Sequence, residues 1–270
     1  MSSIVRAAAI SMLLTAAAGQ QAYAITLAPH RAVYDLALDT DKQIADGAVN
    51  MKGRMVYEFT GSTCEGYTVN FRFVIETQDA SNGSTITDLR TSNHESTDDK
   101  DFQFLSQTYT NQVLTEDVKG SAERQDDTVA VSLNLPEKQD LKIVKEATFP
   151  TAHLLKIIDA AEKGEKVLNL EVYDGSDGGT HVYKTSTIIG DERKTPPDPN
   201  EAPIGNMRRW PVTVSYFNST ETGDLTPDYS ISFDLWENGV STKMKLDYGD
   251  FVLKGDIGQF EALPVTACTQ

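Results

Sequence analysis

Two neighbouring runs of strict alternation constrain this chain more than any other feature. From Gly53 to Phe59, the side chains of Met55, Tyr57 and Phe59 fall on one side of an extended backbone, opposite Arg54 and Glu58. From Tyr67 to Ile75, Tyr67, Val69, Phe71, Phe73 and Ile75 share a side, opposite Asn70 and Arg72. A strand repeats every two residues and a helix every 3.6, so both runs predict strands with one buried face. The connecting Gly61-Ser62-Thr63-Cys64-Glu65-Gly66 supplies the turn of a β-hairpin.

The first residues bear on compartment. Met1–Ala24 has a single charge at Arg6, an apolar run from Ala7 to Ala18, and the small-x-small ending Ala22-Tyr23-Ala24. This pattern predicts a secretory signal peptide cleaved near Ala24, because the apolar run is too short to span a bilayer. Residues 25–270 are then expected to form one soluble exported domain without stable membrane insertion, of a length that a single large β domain reaches. The net charge is −16, or −17 once Arg6 is removed, which argues against nucleic acid and anionic membrane surfaces as partners.

Cys64 and Cys268 are the two cysteines, 204 residues apart. In an exported chain they are expected to pair with each other. A free reactive thiol, an intermolecular bridge and a Cys–His pair are the alternatives. A loop that long gives roughly 5 kcal/mol in the chain-entropy model.

Short strand patterns recur along the chain. Pro29–Leu38 reads as a strand, alternating except at Val33, and Asp39–Asp46 as the polar turn after it. Further runs fall at Thr85–Thr91, Phe102–Tyr109, Asn111–Lys119, Thr128–Leu133, Leu141–Val144, Val167–Tyr173, His181–Ile189, Trp210–Tyr216, Tyr229–Trp236, Ser241–Asp247 and Gly249–Lys254, with Ile257–Leu263 as a further candidate. Turn residues between them point to antiparallel hairpins in a sandwich or barrel of about fourteen strands. One segment departs from this pattern. Thr151–Lys163 reads as a helix with Thr151 as N-cap and Gly164 just past its end. Leu154, Ile157, Ile158 and Ala161 form its apolar stripe, widened by Leu155, which is expected to pack on the sheet or cover an open end of it. Asp191–Gly205 reads as a proline-rich surface loop.

No chemical motif stands out. Carboxylate pairs (Asp98/Asp99, Glu116/Asp117, Asp126/Asp127, Asp191/Glu192) occupy polar turns. Asp174-Gly175-Ser176-Asp177-Gly178 has alternating oxygen ligands but lacks the third ligand and distal glutamate of a calcium loop, so a plain turn is expected. His30, His94, His153 and His181 are dispersed without metal-ligand spacing. A neutral, hydrogen-bonded His153 is expected in the helix's first turn. Arg208-Arg209-Trp210 reads as a strand start. No catalytic, metal or cofactor residues are assigned, and no cofactor is expected.

Several stretches taken together resemble the EipB family of periplasmic cell-envelope integrity proteins in Gram-negative bacteria. They are Pro29-His30-Arg31-Ala32-x-Tyr34, Gly53-Arg54-Met55-x-Tyr57-Glu58, Cys64-x-Gly66-Tyr67, Phe149-Pro150-Thr151-x-His153, Tyr173-Asp174-Gly175-Ser176 and the terminal Cys268. The resemblance implies a mainly β fold, an antiparallel β-spiral or broken barrel shaped like periplasmic lipoprotein carriers. It also implies a Cys64–Cys268 disulfide and no established catalytic residues. The expected function is non-enzymatic: maintenance of envelope integrity, with a lipid, acyl chain or envelope protein bound in or near a concave sheet by the 151–163 helix. On this reading the Gly53–Ile75 hairpin is a structural clasp and the functional surface lies elsewhere. The alternative is a carboxylate-dependent hydrolase of envelope glycans, which needs two acids roughly 5–9.5 Å apart across a cleft. The sequence sets no oligomeric state.

Overall fold

The computed structural model describes residues 25–41, 48–81, 83–218, 226–266 and 268. The predicted leader, residues 1–24, lies outside the described residues, as does most of the Asp39–Asp46 turn. The strands are β1 (His30–Leu38), β2 (Ala48–Ser62), β3 (Gly66–Asp79), β4 (Ser84–Glu95), β5 (Asp101–Thr110), β6 (Val113–Arg124), β7 (Val129–Leu135) and β8 (Gln139–Ile143). The helix α1 (Pro150–Glu162) follows, then β9 (Val167–Val172), β10 (Tyr183–Ile189), β11 (Arg209–Asn218), β12 (Tyr229–Trp236), β13 (Ser241–Asp247) and β14 (Val252–Ala262).

All fourteen strands belong to one antiparallel sheet, in the order β8-β7-β6-β5-β4-β3-β2-β1-β14-β13-β12-β11-β10-β9. Every strand pairs with its neighbour in sequence except across the helix. There β8 and β9 become the two edges, while the first and last strands pair in the middle. The candidate Ile257–Leu263 strand is the continuation of β14, not a separate element. Val33 breaks the alternation of β1 because the register shifts beside it: Val33 faces Gln259 and Tyr34 faces Ile257, so Gly258 is the extra residue of a bulge.

The sheet curls around α1. Ile157, Ile158, Ala160 and Ala161 of the helix share one core with Phe59 and Tyr67 on one side of the sheet and Val212, Val214 and Leu235 on the other. Close to the edges, the inner faces of β5, β6 and β7 pack on Phe149 and Tyr173, the residues flanking the helix and β9. Side chains rather than a hydrogen-bonded ladder bring these regions together, with only an isolated parallel bridge from Thr148 to Val172. The result is a broken barrel with the helix inside it. No helix among the described residues is long and apolar enough to cross a membrane.

The hairpin registers as its alternation requires: Met55 faces Phe73, Tyr57 faces Phe71 and Phe59 faces Val69. Cys64 lies in its turn and is bonded to Cys268, with the two Cα atoms 5.8 Å apart. Pairing of β14 with β1 sets the course of the chain end, since β1 also pairs with β2, whose far end carries Cys64.

Candidate functional site

The interior of the broken barrel contains an apolar cavity of about 540 Å³. That size lies within the range of small-molecule sites. The hairpin supplies Met55, Tyr57, Phe59, Val69, Phe71 and Phe73 to its wall. These are the inward positions of the alternation, so the hairpin is part of the candidate site as well as a clasp. Opposite lie Val214, Tyr216, Ile231, Phe233, Met244 and Leu246 from β11, β12 and β13, and α1 contributes His153, Leu154 and Ile157. The expected concavity beside the helix is therefore present, with the opening hairpin as one of its walls.

The helix begins differently from its sequence pattern. Phe149, not Thr151, is the N-cap residue, and no side chain caps the helix locally. Pro150 stands at the first helical position, where its missing N–H costs nothing. Thr151 and Ala152 donate their backbone N–H groups to the carboxylate of Glu95 from β4, each at 2.7 Å, and His153 donates its own to the Phe149 carbonyl at 2.8 Å. Glu95 is buried, and desolvation raises its pKa to about 7 against the opposing effect of those two N–H bonds. At the other end Gly164 adopts φ +76 just past the helix, the left-handed conformation that glycine accepts freely.

His153 faces the cavity, 5% exposed, and its Nε2 has no hydrogen-bond partner. Burial lowers its pKa to about 4, with the nearby Lys156 adding to the effect, so the ring is neutral at pH 7. The expected neutral state is present, but Nε2 is unpaired rather than hydrogen-bonded. The reason is its apolar surroundings: Glu95 is committed to the helix backbone, and Lys156 donates to Thr148 Oγ1 at 3.1 Å.

Two other polar groups of the wall bond to backbone carbonyls. His30 Nδ1 lies 2.7 Å from the Ala28 carbonyl, and the Tyr34 hydroxyl donates to the Ser241 carbonyl at 2.7 Å. Tyr216 stacks on Tyr229 with ring centroids 4.5 Å apart, and burial pushes both phenol pKa values above their ordinary value. Among the described residues Asp174 is the one acid of the wall, and it accepts the Ser176 N–H at 2.9 Å. That bond makes Asp174–Gly178 a tight turn. Tyr173 donates to the Gly179 carbonyl across the turn, and Tyr183 donates to Asp177. The described residues contain no group of three or more His, Cys, Asp or Glu placed to hold a metal.

None of the acidic pairs singled out in the sequence lines the cavity, and Glu116 and Asp117 stand in the strand β6 rather than in a turn, with Glu116 accepting the Thr108 hydroxyl. Asp98 and Asp99 engage Lys100 and Arg124, while Asp191 and Glu192 engage Lys166 and Lys194. A shallower depression beside β9 includes Glu146 and Glu171, the first exposed and the second half-buried, together with Lys184. Arg209 does start a strand, with its guanidinium 4.9 Å from the Trp236 ring centroid and bonded to the carbonyls of Thr195 and Pro196.

Comparison with known proteins agrees with this architecture. A family model described as EipB-like matches residues 21–264. The chain is 38% identical over 245 residues to the cell envelope integrity protein EipB of Brucella abortus (strain 2308), covering 90% of this chain and 86% of that protein. It is also similar to a crystal structure of a β-barrel-like protein of a domain of unknown function from Brucella abortus. There the TM-score is 0.83 at 36% identity, over 89% of this chain and 100% of the other.

Proposed function

The chain belongs to the EipB-like family, and we propose that it supports cell-envelope integrity from the periplasm by holding a lipid or acyl chain in its barrel interior. The observation that carries the reading is the cavity itself, walled on opposite sides by apolar side chains of β2–β3 and β11–β13 and bordered by α1. Apolar concavities with a few convergent polar groups are the usual form of small-ligand sites. The disulfide supports an oxidising compartment. Binding rather than catalysis fits the wall, because Asp174 is its single carboxylate among the described residues, whereas glycan hydrolysis by the paired-acid route needs two.

Native mass spectrometry of protein gently extracted from the periplasm tests the proposal. The expected result is an added mass that organic extraction removes. Leu89 lines the cavity half-buried, so Leu89→Trp is expected to lower that occupancy while the fold persists. Protein that carries no ligand and takes up no apolar probe would overturn the reading. Deletion of the gene and complementation, read as detergent sensitivity, links the cavity to the envelope: the wild type is expected to restore resistance and Leu89→Trp to fall short.

A further inference from the structure

Resting on the cavity-binding reading, we propose that the ligand is an amphiphile with an uncharged hydrogen-bonding group, such as an ester, amide or hydroxyl, beside its alkyl chain, and that His153 Nε2 receives that group. Buried polar atoms normally have partners, and an unpaired one costs stability. His153 is the side chain of the cavity wall with such an orphan atom: it is 5% exposed, lies in the first turn of α1, and its Nε2 has no partner. Its neighbours are engaged elsewhere. Glu95 accepts the Thr151 and Ala152 N–H groups, and Lys156 donates to Thr148.

The wall also selects against charge. No Lys or Arg lines it among the described residues, and an imidazole that is neutral there cannot balance a carboxylate or phosphate. Burying an unpaired anion is far costlier than burying a hydroxyl or carbonyl. A neutral imidazole offers one donor and one acceptor nitrogen, so it can meet a carbonyl or a hydroxyl according to its tautomer. Asp174 accepts the Ser176 N–H with one oxygen and keeps further acceptor sites, so the discrimination is sharpest against anions, and the oleylamine arm below reads the cationic case. An anionic headgroup, where the ligand has one, would therefore stay outside, with the uncharged linkage at His153.

Competition against N-phenylnaphthylamine, an uncharged fluorescent probe, tests this with monooleoylglycerol, oleate and oleylamine, which share a chain length. Monooleoylglycerol is expected to displace the probe from the wild type at the lowest concentration. His153→Leu should weaken monooleoylglycerol about three- to tenfold, the effect of one neutral hydrogen bond, and His153→Gln should keep most of the affinity. The probe carries an N–H that His153 can also meet, so its Kd is measured for each variant and every displacement is converted to a Ki with that Kd. His153→Leu should also melt at a higher temperature without lipid, because the orphan nitrogen is gone. Equal affinity for monooleoylglycerol in the wild type and His153→Leu would overturn the role of His153 while leaving the cavity reading intact. A preference for oleate or oleylamine would overturn the uncharged class. Absence of probe binding by the wild type would overturn the cavity reading itself.

Discussion

Glu95 Oε2 accepts a hydrogen bond of 2.7 Å from the backbone N–H of Thr151, 56 residues further along the chain. Its other oxygen takes the N–H of Ala152 at the same distance. A strand thus caps a helix inside a barrel. The exposed start of a helix can give its free N–H groups to water; this one is buried and needs a partner from the protein. The same contact fixes α1 to the wall that forms the cavity, so the cap is also a positioning device for His153.

Glu95→Ala is expected to destabilise the fold by about 2–4 kcal/mol, since two buried N–H groups lose their acceptor. Urea denaturation measures the loss, and amide hydrogen exchange should place the fraying at Thr151 and Ala152. A loss under half a kcal/mol would mean that the helix start is satisfied in another way.

The first turn of α1 also carries two opposed proton equilibria. Burial raises Glu95 from its ordinary 4.5 to about 7, so the folded protein keeps a proton that the unfolded chain has released, and this contribution weakens folding as pH rises from 4.5 to about 7. Burial lowers His153 from 6.5 to about 4, so the unfolded chain gains a proton first, and this contribution weakens folding as pH falls from 6.5 to about 4. Each is worth about 3 kcal/mol across its window. Between pH 4.5 and 6.5 they cancel. Relative to wild type, His153→Leu should show stability falling as pH rises through this window, and Glu95→Gln should show it rising. Identical pH slopes in all three proteins, measured by chemical denaturation, would contradict the assignment.

Cys64→Ser and Cys268→Ser should destabilise by similar amounts, about 2–5 kcal/mol, because each removes the same bond closing the same loop. The double variant should be no worse than either single one. Thiol titration with urea melts decides the matter, and clearly unequal single variants would mean that one cysteine has a second role.

Gly175→Ala is expected to cost about 2–4 kcal/mol, from left-handed strain added to a clash. The residue sits at φ +74, and a Cβ there would lie 2.4 Å from Phe104. Gly164→Ala at φ +76 meets nothing within 4 Å and should cost about 1–2 kcal/mol from strain alone. Equal thermal shifts in the two variants would show that the Asp174–Gly178 turn is not packed on the β5 side chain.

The strands, the helix and the inward face of the hairpin were legible in the sequence because each is set by local periodicity. Met55, Tyr57, Phe59, Val69, Phe71 and Phe73 alternate whatever the rest of the chain does. Gly164 likewise follows from backbone freedom at a single residue. The cap of α1 was not legible, because its acceptor comes from β4 and the local candidate, Thr151, lies two residues too far into the helix. Nor could alternation say whether an inward residue meets another side chain or a hollow, as that depends on how far the sheet curls and where α1 comes to rest. His153 carries the same lesson: its place in the sequence predicted a neutral ring, and only the packed barrel determined that its Nε2 would be left without a partner beside an apolar cavity.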